Sequence, residues 1–182
     1  MAALDSRVRY EEGNLFLTAS SPINIALIKY WGKVHEELII PANSSLSITI
    51  DQADLCSRTE VRLLDGEGDT ELILNGKPEP ISKRVKRIIE LLRDRTAGVV
   101  VQTPTGPLAL SREDLLKKKL RITSENNFAT ASGLASSSSG LSCLSFALAH
   151  LYGVAEGYPG EYSKFARLGS GSACRSLYGG FV

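Results

Sequence analysis

Histidine is nearly missing from this 182-residue chain: only His35 and His150 occur, far apart, so a histidine-based metal site is not expected. Cysteine is almost as scarce. Cys56, Cys143 and Cys174 are odd in number, widely separated and match no zinc spacing, which fits a reducing compartment. Neither sign of charge is in excess. The 21 Lys and Arg against 20 Asp and Glu leave a net charge of +1, which provides no basic field for nucleic acid and no acidic tail. No apolar run approaches the ~20 residues that span a bilayer. Met1 to Asn14 lacks the apolar centre of a signal peptide. These absences predict a cytoplasmic protein with no nucleic-acid partner and no membrane partner.

What is present is ordinary for one folded domain, with 43% hydrophobic and 23% charged residues. Leu15 to Ala19 reads as a strand, and Ile23 to Ile28, apolar and rich in β-branched residues, reads as a buried one. Leu46 to Ile50 alternates. Thr59–Leu64 and Glu71–Leu74 flank the turn residues of 65–69 and read as a hairpin with a longer loop. The period then changes: Ile81, Val85, Ile88, Ile89 and Leu92 share one helical face. Residues 97–113 read as a loop with a short strand at 99–101. Helices are predicted over about 134–152 and 162–168. Strands followed by helices imply an α+β domain, with an antiparallel or mixed sheet and helices packed on one side. Phe181-Val182 resembles the start of a strand after a glycine turn, so the chain is expected to be the N-terminal portion of something longer.

The most informative stretch runs from Asn126 to Gly140. It follows the alternating Leu120-Arg121-Ile122-Thr123 and leads into a helical pattern at Leu141, Leu144, Leu148 and Leu151. Small residues at a strand-to-helix junction let backbone N–H groups approach an anion, and the helix start adds unpaired donors and partial positive charge. The serines Ser136 and Ser137 add hydroxyls for a phosphate or its magnesium ion. The loop is neither a Walker A loop nor a dinucleotide fingerprint.

Four segments in order, Pro22 to Lys33, Pro41 to Ser47, the glycine-serine loop, and Gly169 to Gly180, resemble the diphosphomevalonate decarboxylases. These belong to the superfamily of galactokinase, homoserine kinase, mevalonate kinase and phosphomevalonate kinase (GHMP kinases). The loop is shared across the superfamily. Lys29-Tyr30-Trp31-Gly32-Lys33 and Ser170-Gly171-Ser172-Ala173-Cys174-Arg175 single out the decarboxylase. The resemblance covers essentially residues 1–182, as the GHMP-type N-terminal, ATP- and substrate-binding domain. It implies a C-terminal domain outside this chain. It also implies an ATP-dependent carboxy-lyase of the mevalonate pathway of isoprenoid and sterol synthesis, which uses ATP and Mg2+, is cytoplasmic and forms homodimers.

Carried over residue by residue, the resemblance assigns ATP and phosphate binding to Gly133, Leu134, Ala135, Ser136 and Ser137, with Ser137 also a magnesium ligand. Substrate contacts fall to Lys29, Tyr30, Trp31, Gly32, Lys33, Ser170, Gly171, Ser172, Ala173, Cys174 and Arg175. Arg84, after the Leu74-Asn75-Gly76 turn, is the candidate for a further diphosphate contact. Lys29 and Arg175 would support catalysis. The family's catalytic aspartate, the base for the tertiary hydroxyl, has no counterpart here, so the chain alone is expected to be inactive. Two other departures are local: Ala129 stands for a usual proline, and Ser138-Ser139 for a pair of alanines.

Structural rivals exist for several of these residues. Trp31 could be core packing, and Lys29 or Lys33 ordinary solvated lysines. Ser170 and Ser172 could cap a helix beginning near Ala173, and Cys174 could be a small buried side chain. Two rival functions remain at this level: a small-molecule kinase of the same superfamily, and a non-catalytic fragment or isoform.

Overall fold

The computed structural model describes residues 2–4, 7–129 and 136–182. The first strands are β1 (Ala3–Leu4), β2 (Arg9–Glu11), β3 (Asn14–Pro22), β4 (Asn24–Ile28), β5 (Lys33–His35), β6 (Ile40–Pro41) and β7 (Leu46–Thr49). Next come β8 (Cys56–Leu64), β9 (Glu71–Leu74), β10 (Lys77–Glu79) and helix α1 (Lys83–Arg95). The hairpin β11 (Gly98–Thr103) and β12 (Gly106–Ser111) leads through α2 (Arg112–Leu116) into β13 (Lys119–Asn126). Helices α3 (Ser136–Leu151) and α4 (Glu161–Gly169) and a 3-10 turn at Ala173–Leu177 complete the order.

One seven-stranded sheet carries the domain, in the order β1-β3-β8-β13-β9-β10 with β2 added to β3. Strands β3, β8 and β13 pair antiparallel, whereas β9 lies parallel to β13, so the sheet is mixed. The inward residues Leu15, Leu17, Ala19, Val61, Leu63, Leu120 and Ile122 form one core with Val85, Ile88, Ile89 and Leu92 of α1, Leu144, Leu148 and Leu151 of α3, and Phe165 of α4. Each large apolar side chain buried there contributes about 1.5–3 kcal/mol. The opposite face is charged: Arg62 bonds Glu60, and Glu71 pairs with Lys119 and Arg121. Phe16 on that face lies between the guanidinium groups of Arg9 and Arg62, at 4.4 and 5.0 Å.

The inward face changes character along the strands. Ser21, Ser57, Thr59 and Ser124 are buried at the end where Pro22 meets Cys56 and Asn126 meets Ser57. Alternation places hydroxyls there in line with the apolar core, and α3 begins above that polar end. The fold thereby joins a packed half to a hydrogen-bonding half.

Three sequence expectations are corrected. Residues 59–64 and 71–74 do not form a hairpin: β13 lies between β8 and β9. The hairpin is instead β9–β10, closed by Asn75-Gly76 with φ of 48° and 77°, as a type I′ turn requires. Residues 97–113 hold a full β11–β12 hairpin and the start of α2 rather than a loop. Strand β4 is not a buried strand. Among the described residues it pairs only with β7, and Ile25, Leu27 and Ile28 are 47%, 55% and 55% exposed, because no layer of described residues covers them. Beyond β7, residues 180–182 run alongside, with Ser47 and Val182 exchanging backbone bonds and Phe181 bridging Ile48. Among the described residues, no helix is long and apolar enough to cross a membrane.

Helix α4 is anchored by a buried carboxylate. Glu161 accepts bonds from Arg95 at 2.7 and 3.0 Å and from the Gly157 N–H at 2.8 Å. The Gly157 amide, then the Arg95 guanidinium, hold its pKa below the ordinary glutamate value of 4.5. A lowered folded-state pKa contributes stability above the unfolded value, and that stability is lost as pH falls through the folded one. Glu161→Gln is expected to cost about 1–3 kcal/mol near neutral pH. The gap from the parent should narrow as pH drops below 4.5, and urea unfolding as a function of pH measures it. A gap independent of pH would show that the carboxylate charge is not what anchors α4.

Candidate active site

The first turns of α3 present two stripes with different tasks. Ser136, Ser137, Gly140, Leu141 and Leu144 face a cavity of about 240 Å³, closed by Thr59, Leu72, Leu74, Val85, Ile122, Ser124 and Asn126. Its walls are mainly aliphatic, and serine hydroxyls stand where the helix begins. Ser137 is exposed and Ser136 half-buried, so both are open to a ligand. The helix expected over about 134–152 is found as α3, with Ser136 and Ser137 in its first described turn. Gly133, Leu134 and Ala135, also assigned to phosphate binding, lie outside the described residues.

The other stripe, Ser138, Ser139 and Ser142, is buried. Ser139 accepts from the Ser57 N–H at 3.0 Å and donates to the Ser21 carbonyl at 2.6 Å. Ser21 and Ser57 are cross-strand partners, so one hydroxyl ties the helix to the ends of both β3 and β8. The single Ser21 hydroxyl proton is shared between Ser142 Oγ at 3.0 Å and the Ser176 carbonyl at 3.1 Å. Ser138 is hydrogen-bonded to the Ser172 hydroxyl.

That last bond links α3 to the segment Ser170–Arg175. Ser172 precedes the 3-10 turn but makes no side-chain capping bond, so the capping alternative does not hold for its hydroxyl. Asn24 Nδ2 donates to the Ser172 carbonyl at 3.1 Å and to Ser176 Oγ at 2.7 Å. Arg175 is 9% exposed. Its Nε donates weakly to Asn24 Oδ1 at 3.4 Å, and one terminal nitrogen donates to Ser45 Oγ at 2.8 Å. Its guanidinium also lies 5.8 Å from the centre of the Tyr30 ring. No carboxylate among the described residues pairs with it. Tyr30 packs onto Gly171, where a Cβ would come within 2.1 Å of the phenol oxygen, so glycine permits the close approach.

Tyr30, Ser170, Gly171, Ser172 and Arg175 are therefore brought together, with Ser138 of α3 beside them. The remaining candidates are placed differently. Lys29 is exposed, and its carbonyl accepts from Asn43 Nδ2 at 3.2 Å. Trp31 is 74% exposed, which excludes core packing in this chain, and Gly32 is exposed beside it. Lys33 pairs with Glu36 at 2.9 Å on the exposed β5 segment. Arg84 is exposed in the first turn of α1, one residue before Val85, which puts it near the α3 cavity. Ala173 is buried. Cys174 donates its thiol to the Gly171 carbonyl at 3.2 Å, and burial pushes its pKa up, so it stays protonated and is a poor nucleophile.

Asn24, Ser45 and Ser138 are site residues that reading the chain did not single out. Asn24 and Ser45 lie inside recognised segments, and a buried asparagine in an apolar strand is the usable signal. Ser138 was legible only as a departure from alanine.

The family described as diphosphomevalonate decarboxylase-like N-terminal domain matches residues 21–182. The diphosphomevalonate decarboxylase of Bos taurus is 43% identical over 173 residues, covering 94% of this chain and 41% of the relative. The mevalonate diphosphate decarboxylase from Trypanosoma brucei superposes with a TM-score of 0.74 at 42% identity, over 91% of this chain and 40% of that one. A solved complex of MDDEF with MVAPP, AMPPCP and magnesium superposes with a TM-score of 0.71 at 37% identity, over 92% and 46% of the two chains. The chain thus spans about two fifths of the length of the first two relatives. Matched over nearly its whole length by sequence and by fold, this chain belongs to the diphosphomevalonate decarboxylase-like N-terminal domain family.

Proposed function

We propose that this chain is the nucleotide- and diphosphate-binding part of a cytoplasmic, ATP-dependent diphosphomevalonate decarboxylase. The reaction converts (R)-5-diphosphomevalonate to isopentenyl diphosphate, with ADP, phosphate and carbon dioxide released. The observation that carries this reading is Arg175, a buried guanidinium held by neutral acceptors and with no carboxylate partner among the described residues. A desolvated cation without a counter-charge is costly, and an anionic ligand offsets that cost. A diphosphate suits the site because it offers mainly acceptors, while Arg175, Ser172 and Ser170 supply donors and the arginine fork matches two oxygens.

The α3 cavity supports the second ligand. Its aliphatic walls and volume of about 240 Å³ suit a purine ring, and the Ser136 and Ser137 hydroxyls suit the phosphates beyond it. No group of three or more His, Cys, Asp or Glu able to hold a metal occurs among the described residues. Magnesium would accordingly be held mainly by phosphate oxygens, with Ser137 as the protein ligand. When bound, ATP supplies the phosphoryl group that turns the tertiary hydroxyl into a leaving group, and magnesium neutralises charge on the phosphates. The solved MDDEF relative, which holds MVAPP, AMPPCP and magnesium together, supports pairing these two ligand classes.

Calorimetric titration of the 182-residue chain with inorganic pyrophosphate, and separately with Mg-AMPPCP, tests the reading. Both should bind. Ser137→Ala should weaken Mg-AMPPCP about 2- to 12-fold, the value of one net hydrogen bond, and leave pyrophosphate within about twofold. Failure of the parent chain to bind pyrophosphate would remove the basis of the proposal.

A further inference from the structure

We infer that Ser138 is a positioning residue for the anion site: it donates its proton to Ser172 and so leaves the Ser172 proton for a bound diphosphate. The inference rests on the diphosphate reading above and adds a residue to it. Ser138 is 1% exposed on the inner stripe of α3, and Ser172 Oγ is its hydrogen-bond partner. The other hydroxyl near Ser172, that of Ser170, is 3.4 Å away, too far for a good O–H···O bond. The Ser172 backbone is already fixed, because its carbonyl accepts from Asn24 Nδ2 at 3.1 Å and from the Arg175 N–H at 3.2 Å. The direction of its hydroxyl proton is the remaining freedom.

A diphosphate at neutral pH presents chiefly hydrogen-bond acceptors. Ser172 can serve it only if its own proton is not spent on Ser138. In the hydroxyl pair one oxygen donates and the other accepts. With Ser138 as donor, a Ser172 lone pair is occupied and its O–H is left free for a ligand on the Ser170–Arg175 segment. Ser138 thus fixes a rotor that would otherwise have to be ordered when the anion arrives. It also makes a direct contact between the helix that opens the nucleotide cavity and the segment that holds the diphosphate. This role is separate from that of Ser139, whose hydroxyl is used up on the ends of β3 and β8.

The test is a double-mutant cycle read by pyrophosphate titration of the 182-residue chain, with S138A, S172A and the double variant, and thermal unfolding of each without ligand. S138A removes one oxygen and keeps high helix propensity, so the fold should survive. S138A is expected to weaken pyrophosphate about 3- to 10-fold. In the S172A background the same substitution should change affinity by less than about 1.5-fold, because the proton it orients is gone. Equal losses with and without Ser172 would assign Ser138 a structural role and overturn the inference, as would an unchanged S138A affinity. Absence of pyrophosphate binding by the parent would overturn the diphosphate reading and this inference with it. Binding by the parent with additive losses would overturn this inference alone.

Discussion

Arg175→Ala should weaken pyrophosphate binding to the chain by about 2–5 kcal/mol, roughly 30-fold to several thousand-fold. The size follows from burial. At 9% exposure the guanidinium is shielded from bulk water, so its attraction to an anion is not screened as on a surface. The expected effect on the ligand-free chain has a different character. Removing the arginine loses bonds to Asn24 and Ser45 but also removes an uncompensated buried charge, so unfolding free energy should move far less than affinity. Arg175→Lys should lie between, because it keeps the charge and loses the fork. Titration alongside urea unfolding gives both quantities. An Arg175→Ala chain with parental affinity would mean that the anion binds elsewhere, and a collapse of stability with no separate loss of affinity would make Arg175 a structural residue.

The second large effect concerns turnover. The 182-residue chain alone should release carbon dioxide from mevalonate diphosphate and ATP at least about 10²–10⁴-fold more slowly than the same chain extended by the C-terminal half of a relative. General-base catalysis accounts for that factor. The family resemblance places the base, an aspartate, in the C-terminal half, and these residues span 41% of the Bos taurus relative. Water exclusion adds to the deficit. Tyr30 is half-buried, Trp31 is 74% exposed, and the β4 face shows Ile25, Leu27 and Ile28 to solvent, so a ligand at Arg175 lacks a full wall. A coupled assay for ADP and carbon dioxide checks this, with Ser137→Ala as the blank. Decarboxylation by the short chain above that blank would show that a group among these 182 residues is the base.

Sequence patterning carried the interior well and pairing poorly. Helix α1 was legible because Val85, Ile88, Ile89 and Leu92 recur at helical spacing, and all four are buried. Helix α3 was legible from its leucines. Its serine face was not, because a serine reads as polar and exposed, yet Ser138, Ser139 and Ser142 are inside. They are tolerated there because the ends of β3 and β8 offer Ser21 and Ser57, and the segment after α4 offers Ser172. Those partners lie between 34 and 121 residues away, beyond the reach of any local window.

What the sequence alone determined is the family, through motifs that are contiguous: Lys29 to Lys33, the loop before Gly140, and Ser170 to Arg175. The α+β class was equally local, since period and turn residues are written in neighbouring positions. Tertiary structure decided the rest. It set β13 between β8 and β9, with β9 parallel to it, because parallel pairing joins strands through long crossovers that no hairpin signal marks. It exposed Trp31 and buried Arg175, because exposure depends on which layer covers a strand rather than on the residue's own polarity. It also gathered Asn24, Ser45, Ser138 and Ser172 from four segments beside the buried cation of Arg175. Such a cluster exists only where the core turns from apolar to hydrogen-bonding at one end of the sheet, a gradient visible only after the strands are paired.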